Sequence, residues 1–260
     1  DMAQDQVRVT FYVGPGEAAQ AAQTLCNEAA KIGIALDIAA EDVLSQDWNR
    51  VWKQFYRPLA VGDRVRVEPA WLQGPDVPGL VRIVIDPGMA FGTGTHETTQ
   101  LCMRQVVAWS DRWVACGRGL GGEAMLDLGT GSAILSILGV KLGLGHAVGT
   151  EIDAAAVQSA QANLDLNQVA DHVRLVHGGD PALAGPARYA LVVANILATV
   201  LVPLRDAIVE RLAPGGTLVL SGVLAREAQT VADHYALRGL AVVDIATDGA
   251  WAAIALRSKG

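Results

Sequence analysis

From Ile83 to the C-terminus, short apolar runs alternate with amphipathic stretches of about ten to fifteen residues, and this alternation restricts the fold more than any other feature. The pattern predicts strands at 124–128, 147–151, 173–177, 190–194, 217–221, 240–246 and 251–256. It predicts helices at 97–109, 133–142, 154–165, 199–212 and 226–238. Strands joined through helices of this length pair in parallel through right-handed crossovers, so the expected fold class is α/β with a mostly parallel sheet. Only a short turn, Thr247–Ala250, separates the last two strands. They are expected to form an antiparallel hairpin at one end of the sheet.

The first third of the chain reads differently. Residues 6–12 and 33–39 alternate like strands, and the Ala-rich segment 16–32 between them reads as a helix with Leu25, Ala29 and Ile32 on one face. Residues 1–46 are therefore expected to form a small β-α-β module, low in core for an independent fold. Residues 47–84 read as a linker with an aromatic helix (Trp52, Phe55, Tyr56), a strand at Arg64–Glu68 and a Pro/Gly loop from Gly74 to Gly79. Residues 85–260 form the main domain.

Composition excludes several function classes. Hydrophobic residues make up 51% of the chain and charged residues 18%, enough to bury a core and too apolar for disorder. The formal net charge is −7, so direct nucleic-acid binding is not expected, because phosphate contacts need clustered Lys and Arg. The densest basic stretch (Arg50, Lys53, Arg57, Arg64, Arg66) is interleaved with Asp47, Asp63 and Glu68 and reads as a solvated face. Three scattered cysteines argue against a disulfide framework and for a reducing, cytoplasmic setting. No Cys or His spacing suggests a metal, and no apolar run is long enough for a membrane span.

Three motifs carry the chemistry. In Leu126-Asp127-Leu128-Gly129-Thr130-Gly131-Ser132-Ala133 an apolar strand turns sharply into a helix, and Gly129 and Gly131 allow a ligand close to the backbone. Glu151 ends the next strand, where a carboxylate can accept hydrogen bonds from both hydroxyls of a ribose. The alternative is that Glu151 caps the following helix. A dinucleotide fingerprint requires a third glycine, which is missing here; S-adenosylmethionine (SAM) carries a sulfonium and no phosphate, so it needs less of an anion cradle. The second motif is the loop from Asp86 to Thr99, DPGMAFGTGTHETT. In it Phe91 can cover a flat ligand, the threonines can hold polar groups, Thr95 can cap the helix, and His96 reads as a hydrogen-bonded turn residue. The third is Asn195, which follows an apolar strand at its carboxyl end and can contact the cofactor's methionine part, orient a nitrogen nucleophile or cap a helix.

The strand–helix order resembles the class I methyltransferase fold, Rossmann-like, with a small α+β module ahead of it. From about Asp47 onward the three motifs, with Leu220-Ser221-Gly222-Val223-Leu224-Ala225, resemble the ribosomal large-subunit protein eleven methyltransferase family, PrmA. The resemblance implies SAM as cofactor and amino groups of a ribosomal protein, on lysines and the N-terminus, as acceptors. Matched position by position, it implies SAM contacts at Thr99, Gly129, Glu151 and Asn195. Phe91, Thr95, Asp127 and Gly131 complete the expected cofactor set, and Asn195 is the expected catalytic residue. The chain departs from the family pattern at Thr130 and Ala133, where Cys and Gly are usual, and at Glu151, where Asp is usual. The module before Asp47 is also shorter than the family's substrate-recognition domain. Other acceptors, a different protein's lysines or a small molecule, remain open, as does a non-catalytic SAM-binding protein.

Overall fold

The structure is a computed structural model that describes residues 9–11, 13–14, 16–39, 56–87 and 92–259. The chain divides into two compact units, Asp1–Phe55 and Tyr56–Gly260. In the first, helix α1 (Ala18–Lys31) forms where the sequence is richest in alanine. It stops at Gly33, whose φ of +74° supports a Schellman ending: Gly33 N–H donates to Ala30 C=O, and Ile34 N–H to Ala29 C=O. Residues 34–39, expected as a strand, have no ladder partner among the described residues, and Ile34, Leu36 and Ile38 are exposed. Alternation supplies the face of a strand but not the neighbour whose backbone it needs. Most of the other expected strand, 6–12, and the aromatic helix up to Phe55 lie outside the described residues.

The second unit begins earlier than the linker reading allows. Strands β1 (Leu59–Val61), β2 (Val65–Pro69) and β3 (Val81–Ile85) form a three-stranded sheet, with β1 antiparallel and β3 parallel to β2. Val61, Val65, Val67, Ile83 and Ile85 join one hydrophobic cluster with Met103, Val106, Ile137 and Leu138 of the main domain. At about 1.5–3 kcal/mol for each buried aliphatic side chain, such a sheet is part of the core. Glu68, read as part of a solvated face, is fully buried. It accepts from Gly74 N–H and pairs with Arg66 Nε at 2.7 Å, so its charge is satisfied inside the fold.

The main sheet matches the expected α/β class. Its strands are β4 (Ala124–Leu128), β5 (His146–Glu151), β6 (Val173–His177), β7 (Tyr189–Asn195), β8 (Leu212–Leu224), β9 (Ala241–Asp248) and β10 (Trp251–Arg257), in the order β6-β5-β4-β7-β8-β10-β9. Strands β4 to β8 run parallel; β10 lies antiparallel between β8 and β9. Alternate residues of the central strands enter opposite cores: Met125, Leu191 and Val193 on one face, Leu126, Leu128, Val192 and Ala194 on the other.

The connecting helices are α2 (Glu97–Ala115), α3 (Ile134–Lys141), α4 (Ala154–Leu166), α5 (Ala198–Leu201), α6 (Arg205–Glu210) and α7 (Ala228–Ala236). The single helix expected at 199–212 is two, because Pro203 between them cannot donate to the helical ladder. Strand β8 begins before the expected 217–221. Its register against β7 jumps from Tyr189↔Leu212 to Leu191↔Thr217, and Ala213–Gly216 bulge out.

Candidate functional site

Strand order reverses at β4, which has β5 on one side and β7 on the other, and ligands of open α/β sheets bind at the carboxyl edge of such a switch point. The glycine turn leaves β4 there. Gly129 and Gly131 have φ of +68° and +54°, and a Cβ on Gly129 would come within 2.6 Å of Ile196 Cγ2. The turn closes through Ala133, also left-handed at φ +65°, where the resemblance expects glycine. The left-handed backbone costs an alanine about 1–2 kcal/mol. Its buried methyl returns about 0.8 kcal/mol. Ala133→Gly should therefore stay within about 1 kcal/mol of the parent in chemical denaturation, by the same balance. A loss of several kcal/mol would show that the methyl packs more tightly than this.

Asp127 organises the turn from below. It is buried, and its Oδ2 accepts from Thr130 Oγ1 at 2.7 Å, Ser136 N–H at 3.1 Å and Ser136 Oγ at 2.8 Å. Burial pushes its carboxyl above the ordinary range, the hydrogen bonds from Thr130 and Ser136 oppose this, and the negative charge of Glu151 adds to it. A carboxyl raised in the folded state contributes fully below its unfolded value, and that contribution is lost as pH rises through the folded value. Asp127→Asn keeps one oxygen for the three donors and removes the charge. Its melting temperature should gain on the parent's as pH rises from acid toward neutral. Parallel curves would rule out this proton linkage. Nearby Cys102 is pushed up to about 12 by burial and is an inert thiol.

Glu151 does not cap α4; Asp153 does, accepting from Ala155 N–H at 2.9 Å. Instead Glu151 Oε2 accepts from Gly131 N–H at 2.9 Å, and Oε1 from Ile152 and Asp153 N–H at 2.9 and 3.1 Å. The carboxylate is thereby fixed against the glycine turn. Asn195 caps no helix either, since Leu197 occupies that position of α5. Its Nδ2 lies 3.4 Å from the Oγ1 of buried Thr99, and its Oδ1 is buried without a partner among the described residues. A hydroxyl can donate or accept, so whichever way the amide is turned, one end lacks a partner among the described residues.

The loop before α2 reaches the same place. His96, not Thr95, is the helix cap: its Nδ1 accepts from Thr98 N–H at 3.3 Å and its ring meets Trp251 edge-on at 5.2 Å. Thr95 Oγ1 instead lies 3.1 Å from Thr93 Oγ1, which accepts from Tyr56 OH at 3.2 Å. Ser132 Oγ donates to Gly92 C=O at 2.6 Å and so binds the loop to the glycine turn. Phe91 lies outside the described residues. Thr99, Asp127, Gly129, Gly131, Glu151 and Asn195 thus converge at one edge of the sheet. Ser132, Asn163 and Asn167 were missed.

A glycine turn at the switch point, with two carboxylates beside it in place of an anion cradle, defines the Rossmann-like class I methyltransferases. The chain belongs to one family of this class, the ribosomal protein L11 methyltransferases (PrmA), whose profile matches residues 1–259. It is 44% identical over 205 residues to the ribosomal protein L11 methyltransferase of Chromohalobacter salexigens, covering 78% of this chain and 64% of that protein. The same-named protein of Pelobacter propionicus is 41% identical over 215 residues, 83% of this chain and 68% of the relative. This chain therefore spans about two thirds of the length of these relatives. Among solved structures, the ribosomal protein L11 methylase of Lactobacillus delbrueckii subsp. bulgaricus matches with a TM-score of 0.69 at 26% identity, over 79% of this chain and 100% of that one.

Proposed function

We propose that the chain binds SAM in this cleft and transfers its methyl group to amino groups, lysine side chains or an N-terminus, of a ribosomal large-subunit protein. The observation that carries the reading is Glu151 locked onto the glycine turn, with the incompletely satisfied amide of Asn195 at the same edge of the sheet. The donor set fits the cofactor. The converging residues include the acidic Asp127 and Glu151 and no Lys or Arg, a set that suits a sulfonium better than a pyrophosphate. A Cβ at Gly129 would clash with the Ile196 side chain, so the turn at this edge needs glycine. When bound, SAM supplies an electrophilic methyl on a sulfonium.

Glu151 would hold the ribose diol, the backbone at Gly129–Gly131 would admit the nucleoside, and Asn195 would orient the amine lone pair, the positional contribution most transferases of this kind require. The acceptor amine must be neutral, and a lysine's ordinary value is near 10.4, so the rate should climb with pH through the neutral range. His96 is engaged as a helix cap and is not assigned as a base. A cytoplasmic site of action follows from this substrate. The supporting facts are the family membership, the names of the relatives and the geometry. The test is incubation with SAM and the purified ribosomal protein, followed by mass spectrometry of the protein and assay of S-adenosylhomocysteine. Micromolar binding of NAD without binding of SAM in calorimetry would end the reading.

A further inference from the structure

β3 is an edge strand of the three-stranded sheet, and an edge leaves backbone donors and acceptors without a ladder. Two side chains of α4 and its C-cap supply that ladder. Asn167 Oδ1 accepts from Val84 N–H at 2.9 Å and its Nδ2 donates to Val84 C=O at 2.6 Å. One helical turn earlier, Asn163 Oδ1 accepts from Asp86 N–H at 2.8 Å. Four residues of helix advance about 6 Å and two residues of strand about 6.8 Å, so an i,i+4 pair matches alternate residues of an extended chain. Asn163 does one thing more: its Nδ2 donates to Ser132 C=O, in the glycine turn, at 3.1 Å. The amide orientation is unambiguous, because a backbone N–H only donates and a carbonyl only accepts. Asn163 is fully buried and both ends of its amide are used.

Ser132 also holds Gly92 through its hydroxyl. Asp86, through Asn163, and Gly92, directly, are thus both tied to Ser132 of the glycine turn. We propose that Asn163 is a positioning residue for the cofactor site: it ties Asp86, just past β3, to Ser132 of the glycine turn, and so sets affinity for SAM without touching it. The proposal rests on the SAM reading above. Its loss should weaken cofactor binding more than it weakens turnover of the loaded enzyme. A general loss of folded protein would do the reverse, lowering kcat while leaving KM for SAM unchanged.

The test uses the full chain with Asn163→Ala, Asn163→Asp and Ser132→Ala. Asn163→Asp keeps the acceptor for Asp86 N–H and loses the donor to Ser132 C=O. Asn163→Ala should raise both the calorimetric Kd and the KM for SAM about tenfold, with kcat within about twofold; Asn163→Asp should fall between it and the parent. Combined with Ser132→Ala, the effect should be less than the product of the two single effects, because both act on one joint. An unchanged Kd and KM in folded Asn163→Ala overturns the proposal; should that variant fail to fold, Asn163→Asp and Ser132→Ala decide it by the same comparison. If the parent itself binds no SAM, the functional reading fails instead. The joint is then judged by hydrogen exchange: the Asp86 amide should exchange at least tenfold faster in Asn163→Ala, which lacks its acceptor, and equal exchange overturns it.

Discussion

Replacing Glu151 by alanine is expected to weaken SAM binding by about 1.5–3 kcal/mol, the range for hydrogen bonds to a charged group, or roughly tenfold to more than a hundredfold in Kd. Two losses combine in this figure. The carboxylate that would accept from the ribose hydroxyls disappears, and so does the acceptor that holds Gly131 N–H at 2.9 Å. The second loss loosens the turn against which the nucleoside would lie. The fold should persist, because Glu151 is only partly buried at the open end of β5 while the strand's Ala147 and Val148 remain in the core. Glu151→Gln separates the contributions: it keeps the size and one acceptor oxygen but removes the charge, and should lie between the parent and alanine. Calorimetry with a thermal melt on each variant decides the matter. A folded Glu151→Ala with the parental Kd would mean that another group reads the ribose.

The sequence made the main sheet and the convergence of Asp127, Gly129, Glu151 and Asn195 readable for one reason. Each of these residues lies at or just past the carboxyl end of a short, largely apolar strand, and such buried strands have few other ways to fold. Where several residues compete for one local role, the pattern did not discriminate. Thr95, His96 and Thr98 are all plausible at a helix start; the cap fell to His96, whose Nδ1 reaches Thr98 N–H and whose ring rests on Trp251, a residue 155 positions away. The sheet of β1 to β3 was read as a linker because its strands are only three to five residues long. Their burial depends on helices much later in the chain. Asn163 and Asn167 were invisible for the same reason: their partners at Val84 and Asp86 lie 83 and 77 residues away. Local pattern records periodicity, whereas a buried polar group is explained only by what it meets.

Removing residues 1–55 is expected to abolish methylation of the ribosomal protein while leaving SAM affinity within about twofold of the parent, a difference below about 0.4 kcal/mol. Among the described residues, the two hydrophobic clusters of the main unit draw only on residues from Leu59 onward. The same holds for the site: Thr99, Gly129, Gly131, Glu151 and Asn195 all lie within Tyr56–Gly260. The first unit is different in kind. Among its described residues only Ala29 is buried, and Val9, Phe11, Ile32, Ile34 and Leu36 are exposed, more apolar surface than a small unit leaves open without use. Docking of the protein substrate by this unit is the role the deletion would test. Opposite charge would add to the encounter, since the chain carries −7 and ribosomal proteins that contact nucleic acid are basic. The measurement compares full-length and shortened chains for SAM Kd, melting temperature and rate on the purified protein acceptor, with free lysine as a small control substrate. Loss of the protein rate with SAM binding intact supports docking by the first unit. Equal rates on the protein acceptor would remove that role from residues 1–55 and leave acceptor recognition to Tyr56–Gly260.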